Sequence, residues 1–203
     1  MNNYEYERKY YNLNKKLIAG VDEVGRGPLA GPFVSAAVIM PKDFYIEGVT
    51  DSKKLSEKKR DLLEKEILEN AIAVGISFID EKIIDEVNIY EASKLAMLEA
   101  INKLDPKPDI ILIDAMKLEH EIETESIIKG DEKSFMIACA SIVAKQARDR
   151  FMVELSKKYP EYHFDKHKGY PTKLHIEVLE KYGVLDIHRK TYKPVQKVVQ
   201  RGN

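Results

Sequence analysis

The chain has 203 residues, of which 33% are charged, yet its formal net charge is only −1. That length suits one domain with a proper core, with 17–158 as its main body and 159–203 as a basic extension. No apolar run reaches the roughly 18 residues of a membrane span and the polar start lacks a signal peptide's regions, so a soluble, cytoplasmic protein is expected. Cys139 is the sole cysteine, which excludes an intrachain disulfide and a cysteine-held zinc, and its small apolar neighbours mark it as a buried helix residue.

Residues 1–16 are polar, rich in Tyr, Lys and Asn, and read as a short helix or irregular lead-in without an assigned function. From Leu17 the character changes. Leu17, Ile18 and Val21 predict a strand buried on both faces, so Asp22 and Glu23 emerge where the sheet ends. Gly25 and Gly27 bracket Arg26, giving a loop whose backbone N–H groups can approach a ligand, with a cation at hand for phosphate. An acidic turn is the plain alternative. A dinucleotide fingerprint fits poorly, because Gly31 comes one position late and Pro28 and Pro32 lead into a new strand.

Phe33–Met40 and Ala71–Ile79 are the next two apolar runs, and the short connection favours an antiparallel pairing of the first two strands. Between these runs, Asp51-Ser52-Lys53-Lys54 leads into a surface helix from Ser56 to Asn70, with Leu62, Leu63, Glu66 and Ile67 at helical spacing. Asp51 or Ser56 serves equally well as a helix cap. Glu86–Leu104 reads as an amphipathic helix with Ile89, Ala92, Leu95, Ala96, Leu98 and Ile101 inward.

Asp109–Met116 is a strand whose core, Asp109 aside, carries one acid, Asp114, near its end, where a carboxylate is expensive unless something pairs with it. Glu121, Glu123 and Glu125 alternate as a solvated edge before a short strand at Ile127-Ile128. Asp131 then stands just ahead of a long helix, Ser134 to about Lys158, a comfortable place for an anion even without chemistry. Beyond it, Lys166–His175 is a cation-rich loop around Tyr170, and His167 and His175 lack the spacing of paired metal ligands, so they read as structural. Residues from His188 on form a basic tail with partial order. From Phe151 onward 11 Lys and Arg face 6 Asp and Glu, which suits a polyanion partner or merely a solvated tail.

Three separate elements thus end in acids: Asp22 with Glu23, Asp114, and Asp131. Hard oxygen ligands without a cysteine or histidine set point to Mg²⁺ or Mn²⁺ and to phosphoryl transfer, with two ions during catalysis. Adjacent side chains on a regular strand face opposite ways, so the strand is expected to lose its regularity at Val24-Gly25, or else Glu23 contributes indirectly.

Asp22-Glu23-Val24-Gly25-Arg26-Gly27 with Pro28 and Ala30-Gly31-Pro32 resembles the N-terminal signature of type 2 ribonuclease H, the ribonuclease HII family. The resemblance continues in Asp51–Leu55, Ile113-Asp114, Lys129-Gly130-Asp131, Ala140–Lys145, and Lys168-Gly169-Tyr170 with His175, covering Leu17 to Tyr192. It implies a ribonuclease H-like α/β fold, a mixed sheet flanked by helices with a helical C-terminal extension. It also implies an endonuclease acting on RNA/DNA hybrids and on duplex DNA containing ribonucleotides, as in ribonucleotide excision repair, working as a monomer. Asp22, Glu23, Asp114 and Asp131 would be its catalytic metal ligands. Gly25, Arg26, Gly27, Ser52, Lys53, Lys54 and Tyr170 would contact the substrate. A type 3 ribonuclease H would call for lysine in place of Arg26 and a longer leader, and a non-catalytic nucleic-acid-binding module is the other alternative.

Overall fold

The computed structural model describes residues 3–201; residues 1–2 and 202–203, the ends of the expected domain, lie outside the described residues. Five strands form one sheet: β1 (Ile18–Val24), β2 (Phe33–Ile39), β3 (Ala73–Ile79), β4 (Ile110–Asp114) and β5 (Thr124–Ile127), in the order β3-β2-β1-β4-β5. β1, β2 and β3 are antiparallel neighbours, whereas β4 and β5 run parallel to β1. β1 and β2 are apolar on both faces because helices cover both sides of the sheet. Glu125 falls inside β5, an edge strand that takes in the last of the alternating acids.

The helices are α1 (Glu5–Asn12), α2 (Glu57–Asn70), α3 (Glu81–Asn102), α4 (Gly130–Lys133), α5 (Phe135–Lys158), α6 (Phe164–His167), α7 (Lys173–Tyr182) and α8 (Lys193–Arg201). α5 covers the face bearing Ile18, Val34, Ala36, Val38, Ile110 and Leu112, and α3 covers the face bearing Ala19, Val21, Ala37, Ile111 and Ile113. α5 lies close against β1 because Gly20 has no side chain: a Cβ there would come within 2.0 Å of the Met136 carbonyl carbon. The run Ala138-Cys139-Ala140 keeps that approach flat, and Cys139 is buried as expected.

α3 starts at Glu81, capped by Asp80, and is interrupted at Asn88, whose φ is 72°. The Asn88 side chain accepts from the N–H groups of Tyr90 and Glu91 and restarts the helix, so the expected start near Glu86 marks only the second segment. Its inward stripe is Ala92, Ser93, Ala96, Met97, Ala100 and Ile101, with Leu95 exposed. Small residues face inward because Gly75 lets the helix approach the sheet closely: a Cβ there would sit 2.0 Å from the Ala100 oxygen. In α2, capped by Ser56, Leu63, Glu64 and Ile67 are buried, while Leu62 and Glu66 face solvent. Arg150 on α5 reaches Glu64, which draws that acid inward.

The lead-in is more than a connector. Glu7 on α1 is fully buried, accepting from the Ser134 hydroxyl at 2.6 Å and the Met136 N–H at 3.0 Å, which ties α1 to the first turn of α5. The C-terminal tail is likewise ordered within the described residues. His188 and Arg189 are fully buried and α8 packs against Leu29 and Leu179 through Val195, because buried polar side chains here find carbonyl partners in the loop after β1. No helix among the described residues is long and apolar enough to cross a membrane.

Gly20→Ala should be severely destabilising, since neither the strand nor the helix backbone has room to yield. We expect a loss of about 3 kcal/mol or more in urea unfolding. A loss below about 1 kcal/mol would show that α5 can ride away from the sheet.

Candidate active site

Parallel pairing of Val21 with Ile113 brings the ends of β1 and β4 side by side, so Asp22 and Asp114 are neighbours at the carboxyl edge of the parallel strands. Both share the parity of residues facing α5, whereas Glu23 shares the parity of Val21 on the other face. No bulge interrupts the strand; its regularity is lost only at the turn after Val24. Pairing with β2 runs unbroken from Ala19 opposite Ile39 to Val24 opposite Val34, because Phe33–Ile39 supplies a full-length partner. Glu23 nevertheless stays close to Asp22: the two carboxyls feel each other's charge, and the Glu23 N–H donates to the Asp22 carboxylate at 2.7 Å. The turn into the glycine loop follows at Gly25, where φ is +108°.

Asp131 arrives from α4, a single turn entered through Lys129 in the left-handed region. The turn is anchored to the sheet by the Gly130 N–H, which donates to Asp114 at 2.6 Å. A Cβ on Gly130 would lie 2.6 Å from Ile137 and 3.2 Å from the same Asp114 oxygen, so this close contact needs glycine.

All four carboxyls are held above their ordinary values. For Asp22 the cause is burial first, then Glu23 and Asp114; for Glu23 burial dominates, with Arg26 pulling the other way. Burial also raises Asp114 against the opposing Gly130 hydrogen bond, and burial with Asp114 and Asp51 pushes Asp131 up to about 6. Asp51, which the sequence offers only as a cap, therefore belongs to this acidic cluster, while its carboxylate also accepts from the Lys53 N–H at 2.9 Å. Lys53 is the cation among these acids: burial works against its charge, but Asp22, Asp51, Asp131 and Asp114 outweigh it and hold its pKa above the usual value.

The other residues expected at a substrate divide by position. Lys54 points outward and pairs with Glu132 at 2.7 Å. Ser52 turns inward instead, because its hydroxyl lies 2.9 Å from that of Ser141 on α5, which lies near enough to Asp22 to work against the rise in its pKa. Arg26 and Gly27 are exposed at the loop tip, Gly25 is buried beneath them, and Arg26 lies 3.8 Å from Glu23. Tyr170 packs over the same loop: a Cβ on Gly27 would be 3.8 Å from its ring.

Tyr170 is held from behind by a buried group of imidazoles. His175 contacts the Tyr170 carbonyl at 2.9 Å and His188 at 3.2 Å, and stacks on His167, which accepts from the Gly169 N–H. The histidines are structural, as their spacing suggests. Burial pushes His175 down to about 3 and His188 down to about 4.

Arg148, Arg189 and Tyr192 are residues around this site that the reading of the sequence did not single out, and Ser141 entered it only as part of the block Ala140–Lys145. The spacing of Ser141, Lys145 and Arg148 along one stripe of an otherwise small-residue helix was the available signal. As to metal, no three His, Cys, Asp or Glu side chains among the described residues are grouped so as to hold a metal ion as they stand. The donors still fit a hard divalent cation. They are all carboxylate oxygens, they repel one another, and Glu23 Oε2 is buried without a partner. Magnesium commonly takes only one or two carboxylates, leaving water and phosphate to complete its shell.

The model of the family described as Ribonuclease HII matches residues 19–195. A ribonuclease HII from Bacillus cytotoxicus is 56% identical over 196 residues, covering 95% of this chain and 76% of that one. Among solved structures, ribonuclease H2 from Pyrococcus horikoshii OT3 matches with a TM-score of 0.78 at 29% identity, over 91% of this chain and 98% of that one. The RNase HII in a PCNA complex from Archaeoglobus fulgidus matches at 0.73 and 28%, over 87% and 95%. Between the type 2 enzyme, the type 3 enzyme and a non-catalytic module, these matches decide for the first: the chain belongs to the ribonuclease HII family of metal-dependent endoribonucleases.

Proposed function

We propose that this ribonuclease H cuts the RNA strand of RNA/DNA hybrids and cuts 5′ of ribonucleotides embedded in duplex DNA, leaving a 5′-phosphate and a 3′-OH. The observation that carries this is the convergence of Asp22, Glu23, Asp114 and Asp131, all pushed up in pKa, beside a glycine loop and an aromatic ring. Two Mg²⁺ or Mn²⁺ ions bound there would activate the attacking water and stabilise the leaving oxygen. Asp22, Asp114 and Asp131 would hold them, Asp22 as the shared ligand, and Glu23 would be the less direct member.

Lys53, freed from the acids once their charge is neutralised, meets the scissile phosphate, and Arg26 and Lys54 hold flanking phosphates. Ser52 supports these lysines from beneath through its contact with Ser141. Only the 2′-OH separates ribose from deoxyribose, and the exposed backbone of Gly25-Arg26-Gly27 suits close reading of a small hydroxyl. Tyr170 packs on the sugar that follows, where deoxyribose is favoured. The enzyme would work as a cytoplasmic monomer in ribonucleotide excision repair.

Asp22→Asn and Asp114→Asn should each lower turnover at least about 100-fold, given that even the outer partners of metal ligands cost 10–100-fold, with the fold intact by circular dichroism. The assay compares duplexes bearing one ribonucleotide, several or none in Mg²⁺ and in Mn²⁺. Near-wild-type turnover by Asp22→Asn would sink the two-ion assignment.

Asp131 supplies a test without turnover. A carboxyl whose folded pKa, about 6, exceeds its unfolded one costs stability when ionised, and that cost is full above the folded value and vanishes as pH falls toward the unfolded value. In EDTA, Asp131→Asn should therefore stabilise the protein by roughly 1–3 kcal/mol at pH 7 and by progressively less as pH falls below 6. A pH-independent difference, or destabilisation at pH 7, would contradict the crowding of these acids.

Tyr170→Ala should reduce cleavage at a single embedded ribonucleotide by about tenfold, since stacking-type contacts are worth about 1–3 kcal/mol. Uniform hybrids should suffer less. Equal losses on both substrates would make Tyr170 a packing residue.

A further inference from the structure

Two arginines are fully buried in this protein, Arg148 on α5 and Arg189 in the C-terminal extension. Buried guanidinium groups ordinarily sit against carboxylates, because an uncompensated charge is costly away from water. Neither of these is ion-paired among the described residues. Their partners are main-chain oxygens of the two loops beside the acidic cluster. Arg148 donates to Pro32 at 3.0 Å, Ala30 at 3.1 Å and Lys168 at 2.8 Å, so one side chain joins the loop after β1 to the loop bearing Tyr170. Its guanidinium also lies 5.7 Å from the centre of the Tyr170 ring. Arg189 donates twice to Gly31, at 3.2 and 2.9 Å, and once to Arg26 at 3.3 Å.

Tyr192 completes the second set. Its hydroxyl accepts from Arg189 at 3.1 Å and donates to the Arg26 carbonyl at 2.7 Å. The peptide between Arg26 and Gly27 is thus fixed from below by two side chains of the extension. The backbone reinforces this, with Arg189 N–H donating to Leu29, Gly31 N–H to Ile187 and Leu29 N–H to Gly169. Asp85 on α3 caps the turn carrying these residues through the Lys190 and Thr191 N–H groups, at 2.7 and 3.0 Å. None of the three side chains touches the acidic cluster through a hydrogen bond. What they control is where the glycine loop and Tyr170 stand.

We propose that Arg148, Arg189 and Tyr192 are positioning residues that hold the Arg26-Gly27 peptide and Tyr170 at reading distance from the ribonucleotide, and so set the discrimination of ribose from deoxyribose. This rests on the assignment of the glycine loop and Tyr170 to the ribonucleotide made above. A loop meant to sense one hydroxyl group must be rigid to a fraction of an ångström, and bidentate guanidinium contacts to carbonyls give that rigidity where a glycine-rich backbone has none. Because the loop tip is exposed, its order has to come from beneath.

The test measures binding, not cleavage. Fluorescence anisotropy in Ca²⁺ would compare the affinity of the full chain for a duplex with one ribonucleotide and for the same duplex as DNA throughout. Tyr192→Phe removes one hydroxyl and keeps the ring, so it preserves the fold; Arg189→Gln removes the charge and most of the fork. We expect the ratio of the two affinities to fall at least threefold in Tyr192→Phe and further in Arg189→Gln, with Arg189→Lys recovering little. Steady-state assays should show the loss mainly in KM, with kcat within about twofold. Tyr170→Ala separates the two levels of inference. If it lowers the ratio while Tyr192→Phe and Arg189→Gln leave it unchanged in folded protein, the positioning role is overturned and the loop assignment stands. If Tyr170→Ala also leaves the ratio unchanged, both are overturned.

Discussion

The contact on which most else depends is the one between α5 and β1 at Gly20. The helix backbone rests on the strand backbone with no side chain between them, so the helix can neither rise nor rotate without losing the contact. Positions along it are then fixed by the 1.5 Å rise per residue. Ser134 and α4 before it place Asp131, Ser141 lands beside Asp22, and about 10 Å further along Arg148 lies under Pro32 and Ala30, with Met152 against Gly31. A single rigid element thereby sets the spacing between the carboxylate cluster and the loops beyond it.

Charge is arranged in two separate layers around that helix. On one side carboxylates crowd together with Lys53 as their main internal counterweight; on the other, buried guanidinium groups rest on carbonyl oxygens and the Tyr192 hydroxyl, with no carboxylate partner among the described residues. The glycine loop lies between them. Arrangements of this kind are unfavourable locally, and the apolar packing of α3 and α5 on the two faces of the sheet has to offset them. The protein thus keeps its crowded acids at the edge of the sheet and its buried guanidinium groups inside the fold, where their donors are already used.

Much of this could be read before the structure was known. The first four strands announced themselves by apolar runs, the cap Ser56 by its place ahead of a periodic segment, and the long helix by its start near Ser134. The acids at Asp22, Asp114 and Asp131 stood out because each interrupts or follows an apolar element. What escaped were features set by long-range packing. Leu62 and Leu95 look like core residues and face water, since glycine-mediated approach selects alanine for the inner stripe of α3 and an ion pair turns α2 toward Glu64. The tail after His188 looks like solvated cations because nothing local indicates that Arg189 will find carbonyls more than 150 residues away in the chain. Glu7 escaped for the same reason, its partners being in the first turn of α5.

The stacked imidazoles behind Tyr170 give the molecule two opposed responses to acid. His175 and His188 are held well below the usual histidine value, so the folded cluster is favoured while they stay neutral, and that advantage erodes as pH drops below about 6.5. Over the same interval Asp131 takes up its proton, and its repulsion with Asp114 and Asp51 fades. Mild acid thus relaxes the crowding of acids at the edge of the sheet while making unfolding of the whole chain easier, and the imidazoles of the folded protein stay neutral until the pH approaches 4. The residue type best known as a proton sensor serves here, near neutrality, as uncharged scaffolding: its titration has been moved out of the range in which the loop has to keep its shape.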